Sequence, residues 1–186
     1  MFVSGIASRP FGTVPHIPGV CLPYIFIGDD ETPGRSISAT YRLKDHPDIT
    51  IWLEDSNAAR IGPGQNPEKF TPVSQSDFFW TQRYGSGVRK SVRSIWAIPY
   101  RNIDFAGQKG VESFVRIIRG DDAEDFGYLA VVRGDPDAKK DTPDLMLYVI
   151  RDAKNSTAKG IEPVSKDAFL EIAQTIAASV KRRPTK

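Results

Sequence analysis

Three strand-like segments in a row, joined by linkers too short to hold another element, constrain this chain most. Residues 111–120, VESFVRIIRG, alternate Val111, Ser113, Val115 and Ile117 with Glu112, Phe114, Arg116 and Ile118. The turn DDAED (121–125) follows, then FGYLAVVRG, then the turn DPDAKKDTP, then DLMLYVIRD. Parallel pairing needs a crossover of about a dozen residues or more, usually a helix, and neither linker has room for one. The three segments are therefore expected to form an antiparallel meander around which the rest packs.

The remaining elements follow the same reading. SISATYRL (36–43) sets Ile37, Ala39, Tyr41 and Leu43 on one side, and ITIWLED (49–55) sets Ile49, Ile51 and Leu53 on one side. With the turn KDHPD between them, these two form a hairpin. LPYIFI (22–27) is a short apolar run that reads as a buried strand. VRKSVRSIWAIPYRN (88–102) reads as a single strand with Val92, Ser94, Trp96 and Ile98 on one face and Pro99 near its end. Residues 55–73, with Gly62, Pro63, Gly64, Pro67 and Pro72, read as a long loop.

Two helices are expected. SQSDFFWTQRYG (74–85) has Ser74 or Ser76 as a cap, Asp77 in its first turn and Gly85 as a stop. A regular helix cannot bury Phe78, Phe79 and Trp80 together against one surface. SKDAFLEIAQTIAASVKRR places Phe169, Ile172, Ala173, Ile176 and Val180 on one stripe. Ser165 caps it, Asp167 suits its start, and Lys181, Arg182 and Arg183 suit its end before Pro184. The fold class is α+β: a mostly antiparallel twisted sheet of about six strands, a C-terminal helix on one face, and a short helix near residues 75–84. Residues 1–20, with three prolines and three glycines, form an extended lead-in or linker, and 21–184 form a single domain.

Little in the chain suggests catalysis. The 186 residues carry 25 Lys and Arg against 23 Asp and Glu, a net charge of +2, which gives no pull toward nucleic acid. No segment reaches the roughly 20 apolar residues of a membrane span. One cysteine, Cys21, rules out an intrachain disulfide and reads as a small buried hydrophobe. Cys21, His16 and His46 are too few and too scattered for a closed zinc site, and His46 reads as an exposed turn residue. GSG (85–87) follows a helix rather than a strand, so it is not a nucleophile elbow. GPG (62–64) lacks the lysine and the strand–helix setting of a phosphate loop. DDAED lacks the spacing of a calcium loop. No catalytic residue, metal or cofactor is expected.

Binding residues are easier to nominate. DFFWTQRYG combines aromatics with arginine, the types enriched at interface hot spots, so Phe79, Trp80, Arg83 and Tyr84 are candidates. Core burial competes for each of the aromatics. The carboxylates Asp121, Asp122, Glu124 and Asp125 offer an acidic contact patch at a hairpin turn. Glu112 is read either as solvent-facing or as accepting hydrogen bonds from the preceding turn, which Gly107 and Gly110 shape.

Three segments carry a resemblance to a known family. CLPYIFIGDD, continuing through SISATYRLKDHPDITIWL, is a Cys-led strand followed by a hairpin. IDFAGQKGVESFVRI matches a segment of the form aG-x-x-G-x-E leading into a strand, and SVKRRP matches the ending S-[IV]-x-x-RP. Over residues 21–184 the chain resembles the C-terminal domain of immunity proteins that neutralise lipase effectors of type VI secretion. EIAQTIAAS stands where that family usually has a Trp-Asp pair. The resemblance implies an inhibitor rather than an enzyme. It also implies a phospholipase or lipase effector as partner, a periplasmic location, and an N-terminal domain and leader outside this chain. A periplasmic binding or structural module of another kind is the alternative, with a small hydrolase behind it.

Overall fold

The computed structural model describes residues 6–8, 19–22, 25–28, 36–84, 89–138 and 142–181. Its centre is the expected meander. β8 (Gln108–Arg119), β9 (Glu124–Val132) and β10 (Asp144–Arg151) pair antiparallel, with Phe114 opposite Tyr128 and Tyr128 opposite Val149. β4 (Ser36–Arg42) and β5 (Ile49–Ser56) form the expected hairpin, and β5 joins the meander through β10. β6 (Arg89–Ser94) and β7 (Arg101–Phe105) both pair with β8, completing a seven-stranded sheet ordered β4-β5-β10-β9-β8-β6. β1 (Ile6–Ser8), β2 (Gly19–Leu22) and β3 (Ile25–Gly28) make a separate three-stranded sheet ordered β1-β3-β2. β1 lies inside the stretch read as an extended lead-in, and the apolar run at 22–27 contributes to two strands rather than one. Cys21 falls in β2, but its side chain, His16 and the GSG at 85–87 lie outside the described residues.

The single strand expected over 88–102 is broken. β6 ends at Ser94, residues 95–99 bend, and β7 starts at Arg101. The reason lies in the partner strand. Ile95 N–H donates to Phe114 O at 2.9 Å, and Trp96 turns edge-on to Phe114 with ring centroids 5.9 Å apart. Ile95 and Trp96 thus both serve the core on the Phe114 side, which strict alternation forbids, so the strand bends. The turn after β7 uses left-handed backbone at Ala106 (φ 54°) and Gly107 (φ 80°), a pairing that suits a two-residue hairpin.

Both faces of β8–β10 are covered, by different helices. On one face Phe114, Phe126, Tyr128, Ala130, Leu147 and Val149 pack against Phe169, Ala173 and Ala177 of α3 (Lys166–Ser179). Phe169 has no exposed surface, and burying such a ring is worth about 1.5–3 kcal/mol. The buried stripe is Phe169, Ala173 and Ala177, four residues apart. Ile172, Ile176 and Val180, expected to share the inner face, are only partly buried at its flanks. Small alanines at the centre fit beneath the helix where three aromatic rings already fill the layer. Ser165 caps α3 as expected, accepting from Ala168 N–H at 3.4 Å, but Val180 ends it, so Lys181 falls beyond the last turn and Arg182 and Arg183 lie outside the described residues.

The other face is covered by α1 (Pro72–Phe78) and the π-helical turn Phe79–Arg83 that continues it. Its cap is Thr71, earlier than expected, whose hydroxyl accepts from Ser74 N–H at 3.1 Å. Ser76 instead is buried and donates to Pro72 O at 2.9 Å. A short helix not expected from sequence, α2 (Ala153–Thr157), follows β10 and is capped by the Asp152 carboxylate. No helix among the described residues is long and apolar enough to cross a membrane.

Candidate functional site

The widened turn settles how three consecutive aromatics are placed. Tyr84 N–H donates back five residues to Phe79 O at 2.8 Å, the spacing of a π-turn, which rotates Phe79 and Trp80 inward and Phe78 outward. Phe79 and Trp80 are 2% and 5% exposed, while Phe78 is 59% exposed. The indole N–H of Trp80 donates to Ser113 Oγ at 2.8 Å, and its ring meets Phe79 edge-on at 4.8 Å. Gly127 leaves the space the indole occupies. Phe79 and Trp80 are therefore unavailable as surface contacts in this conformation. Phe78, the aromatic passed over in the sequence, is the one that faces solvent. Only helix phase separates the three, and a π-turn changes the phase.

Of the remaining nominated residues, Asp121 and Asp125 come together in a paired network. Arg119 lies at its centre, with Nη1 at 2.7 Å from Asp152 Oδ1 and 3.2 Å from Asp125 Oδ2, and Nε at 3.7 Å from Asp121. Burial opposes the charge on Arg119, and the two carboxylates Asp125 and Asp152 outweigh it, holding its pKa above the usual value. Asp125 is 2% exposed and accepts from Ala153 N–H at 2.9 Å, so it fixes the start of α2. Burial raises its pKa, with Asp152 adding to the effect and Arg119 and the Ala153 amide opposing. Tyr84 packs beside this network. Burial, then Asp125 and Asp152, push its hydroxyl up to about 12.

The other acidic residues are also matched with cations. Asp121 pairs with Lys154, Asp122 with Lys90 at 2.7 Å, and Glu124 with Arg116. Arg83 reaches Glu54 at 2.7 Å. The DDAED turn is thus locally neutralised rather than a bare acidic patch. Asp121, Asp122, Glu124 and Arg83 are on pairs open to solvent, which are weak and exchange partners readily.

Beside this network is a cleft of about 460 Å³ between the end of α1 and β6, with Asp77, Trp80, Thr81, Val92, Tyr100 and Ser113 among its walls. Tyr100 O–H donates to Asp77 Oδ1 at 3.2 Å, joining α1 to the 95–99 bend. Burial and then Asp77 push the Tyr100 hydroxyl up to about 12. Tyr100, Ile98 and β6 were missed in the sequence, because a single continuous strand there leaves no bend and no cleft.

His46 sits in the β4–β5 turn, with its carbonyl accepting from Ile49 N–H at 2.9 Å. GPG is a turn, with Gly64 at φ 79° and Gln65 N–H on Gly62 O at 3.1 Å. Glu112 is neither solvent-facing nor bonded to the preceding turn. It is 9% exposed and accepts from Tyr128 O–H at 2.7 Å under α3. Asp48, in the same turn as His46, is fully buried and accepts Val164 N–H at 2.8 Å, pinning the approach to α3. Among the described residues no group of three or more His, Cys, Asp or Glu side chains is placed to hold a metal ion.

A family model described as the Tle cognate immunity protein 4 C-terminal domain matches residues 13–185. No curated protein matches the chain. Among solved structures, the immunity protein TplEi of T6SS from Pseudomonas aeruginosa, complexed with "L" peptide, is similar with a TM-score of 0.65 at 17% identity. That likeness covers 97% of this chain and 59% of the other. The apo structure of the same protein gives 0.65 at 18% identity, covering 98% and 55%, and a Tle4-Tli4 complex gives 0.61 at 18%, covering 98% and 56%. At this identity the likeness shows a shared fold. The chain spans under three fifths of the length of each of these three.

Proposed function

Because the chain belongs to the family of Tle cognate immunity protein 4 C-terminal domains, matching it over residues 13–185, we propose that it binds and neutralises a cognate lipase effector of type VI secretion. The family match carries this reading. The solved Tle4-Tli4 complex supports it, since a relative of the same fold is there joined to a Tle protein. In this reading the chain is an inhibitor rather than an enzyme. It acts in the periplasm, where it covers the effector's active site or holds the effector's lid.

In this reading contact is made away from the sheet faces. Over β8–β10 both sheet faces are filled by the chain's own helices, so contact falls on edges, turns and outer helix surfaces. Arg83, Tyr84, Asp121, Asp122 and Glu124 remain candidates there, joined by Phe78, while Asp125 is buried and serves the fold. A toxicity assay tests the reading. Cells exporting the cognate lipase effector to the periplasm survive when this chain is exported with it, and the two proteins co-purify. Loss of protection together with loss of co-purification overturns it.

A further inference from the structure

The sheet edge beside the cleft carries chemistry that family membership leaves unused. β6 is the last strand in its sheet and pairs only with β8 among the described residues. Along its outer side the ladder has no partner strand there, and such an edge is a template for another chain. Arg89, Lys90 and Arg93 put three cations into its six residues. Arg93 stands opposite Arg116 in register, and both are exposed. Lys90 is held only in a solvent-exposed pair with Asp122, which water screens. β4, the opposite edge, carries Arg42 as its one charged residue.

Apolar surface lies at the same place. Ile98 is 69% exposed and Phe78 is 59% exposed. Phe78 follows Asp77 in the chain and Ile98 lies two residues before Tyr100, and the hydrogen bond between Asp77 and Tyr100 joins these two segments beside the cleft.

Charge decides which strand could add here. A second copy of β6 would set arginine against arginine, which is unfavourable for directly opposed strand residues, whereas an acidic strand gains where its carboxylates stand opposite Arg89, Lys90 or Arg93. We propose that β6 and the adjoining cleft receive an extended acidic segment of a partner protein, which adds to β6 as a strand and seats apolar side chains on Phe78 and Ile98. The segment's source rests on the functional reading above: it belongs to the effector. The surface itself does not.

Hydrogen exchange and titration test it, using the whole chain and purified effector. Exchange at residues 89–94 is expected to slow on binding. The double variant Lys90→Glu/Arg93→Glu is expected to weaken affinity at least tenfold and to flatten its salt dependence, with an unchanged melting temperature. Arg42→Glu, on the far edge, is expected to bind as wild type. Wild-type affinity in the double variant, with protection elsewhere, overturns the surface while leaving the immunity reading standing. If the effector does not bind at all, that reading fails, and the surface is judged on a synthetic peptide alternating Glu and Val, beside a Lys–Val peptide and phosphatidylglycerol vesicles. Slowed exchange at 89–94 with the Glu–Val peptide alone upholds it. No response, or a response to vesicles alone, overturns it.

Discussion

Replacing Gly127 with alanine probes the aromatic layer under the π-turn. Gly127 lies within β9, opposite Val115 of β8 and Ile150 of β10. A Cβ there would stand 2.5 Å from Trp80 Cη2, 2.9 Å from Trp80 Cζ3 and 3.1 Å from Val115 Cγ2. Carbon–carbon contact is comfortable at roughly 3.5–4.0 Å. Where space allows, Gly→Ala stabilises by about 0.4–1 kcal/mol through the unfolded chain. Overpacking a core costs about 1–3 kcal/mol. Overpacking should win here, because the indole cannot retreat without breaking its bond to Ser113 and leaving Phe79. For a chain of this size the net loss corresponds to roughly 2–4 °C of Tm per kcal/mol.

A double-mutant cycle makes the cause explicit. Trp80→Phe removes the two ring carbons that collide and also the N–H donated to Ser113, so alone it costs about 1–3 kcal/mol for the lost bond, with a cavity added. In that background Gly127→Ala should cost little or even stabilise, giving a coupling of about 0.5–3 kcal/mol. Urea midpoints of the four proteins measure it. Costs that add to within about 0.5 kcal/mol would refute the packing argument. The same layer makes a stability forecast: Trp80→Ala lowers Tm by several degrees, since the ring is interior.

Three further outcomes are expected. Glu112→Ala strands the Tyr128 hydroxyl, which has no exposed surface, and costs about 1–3 kcal/mol, while Glu112→Gln, which keeps an acceptor, costs less; denaturant titration separates them, and equal losses count against the bond. Phe78→Ser stays within about 0.5 kcal/mol of wild type, whereas Phe79→Ala loses about 3–5 kcal/mol; thermal melts decide, and similar losses contradict the π-turn placement. Asp125 has a folded pKa raised above its unfolded value near 3.8, so its contribution is fully present below that value and is lost as pH rises through the folded pKa. Stability followed from acid pH upward should therefore decline less in Asp125→Asn than in wild type, and parallel curves would count against burial as the dominant influence.

The sequence held the strands of the meander and the hairpin because alternation and turn residues are local signals. Spacing alone excluded a crossover, and register followed once both flanks were strands. Ser165 was legible for the same reason, since a cap reads off three residues. The break between β6 and β7 was not legible. It depends on Phe114 of a different strand drawing Ile95 and Trp96 to one side. The burial of Asp48, Glu112 and Asp125 was hidden likewise, because each answers a donor between 16 and 116 residues away.

The binding candidates divide along the same line. Composition alone picked out the aromatic–arginine stretch and the acidic turn, and these do meet, through Tyr84, Arg119 and Asp125. Which aromatic faces solvent was decided by a single π-turn, which rotated Phe79 and Trp80 into the sheet and left Phe78 outside. The amino-acid order by itself determined an antiparallel α+β domain with a capped C-terminal helix, since periodicity and turn chemistry act over a few residues. Tertiary structure decided which charges are matched, which edge is left open and where the cleft lies, because those depend on contacts between residues that only folding brings together.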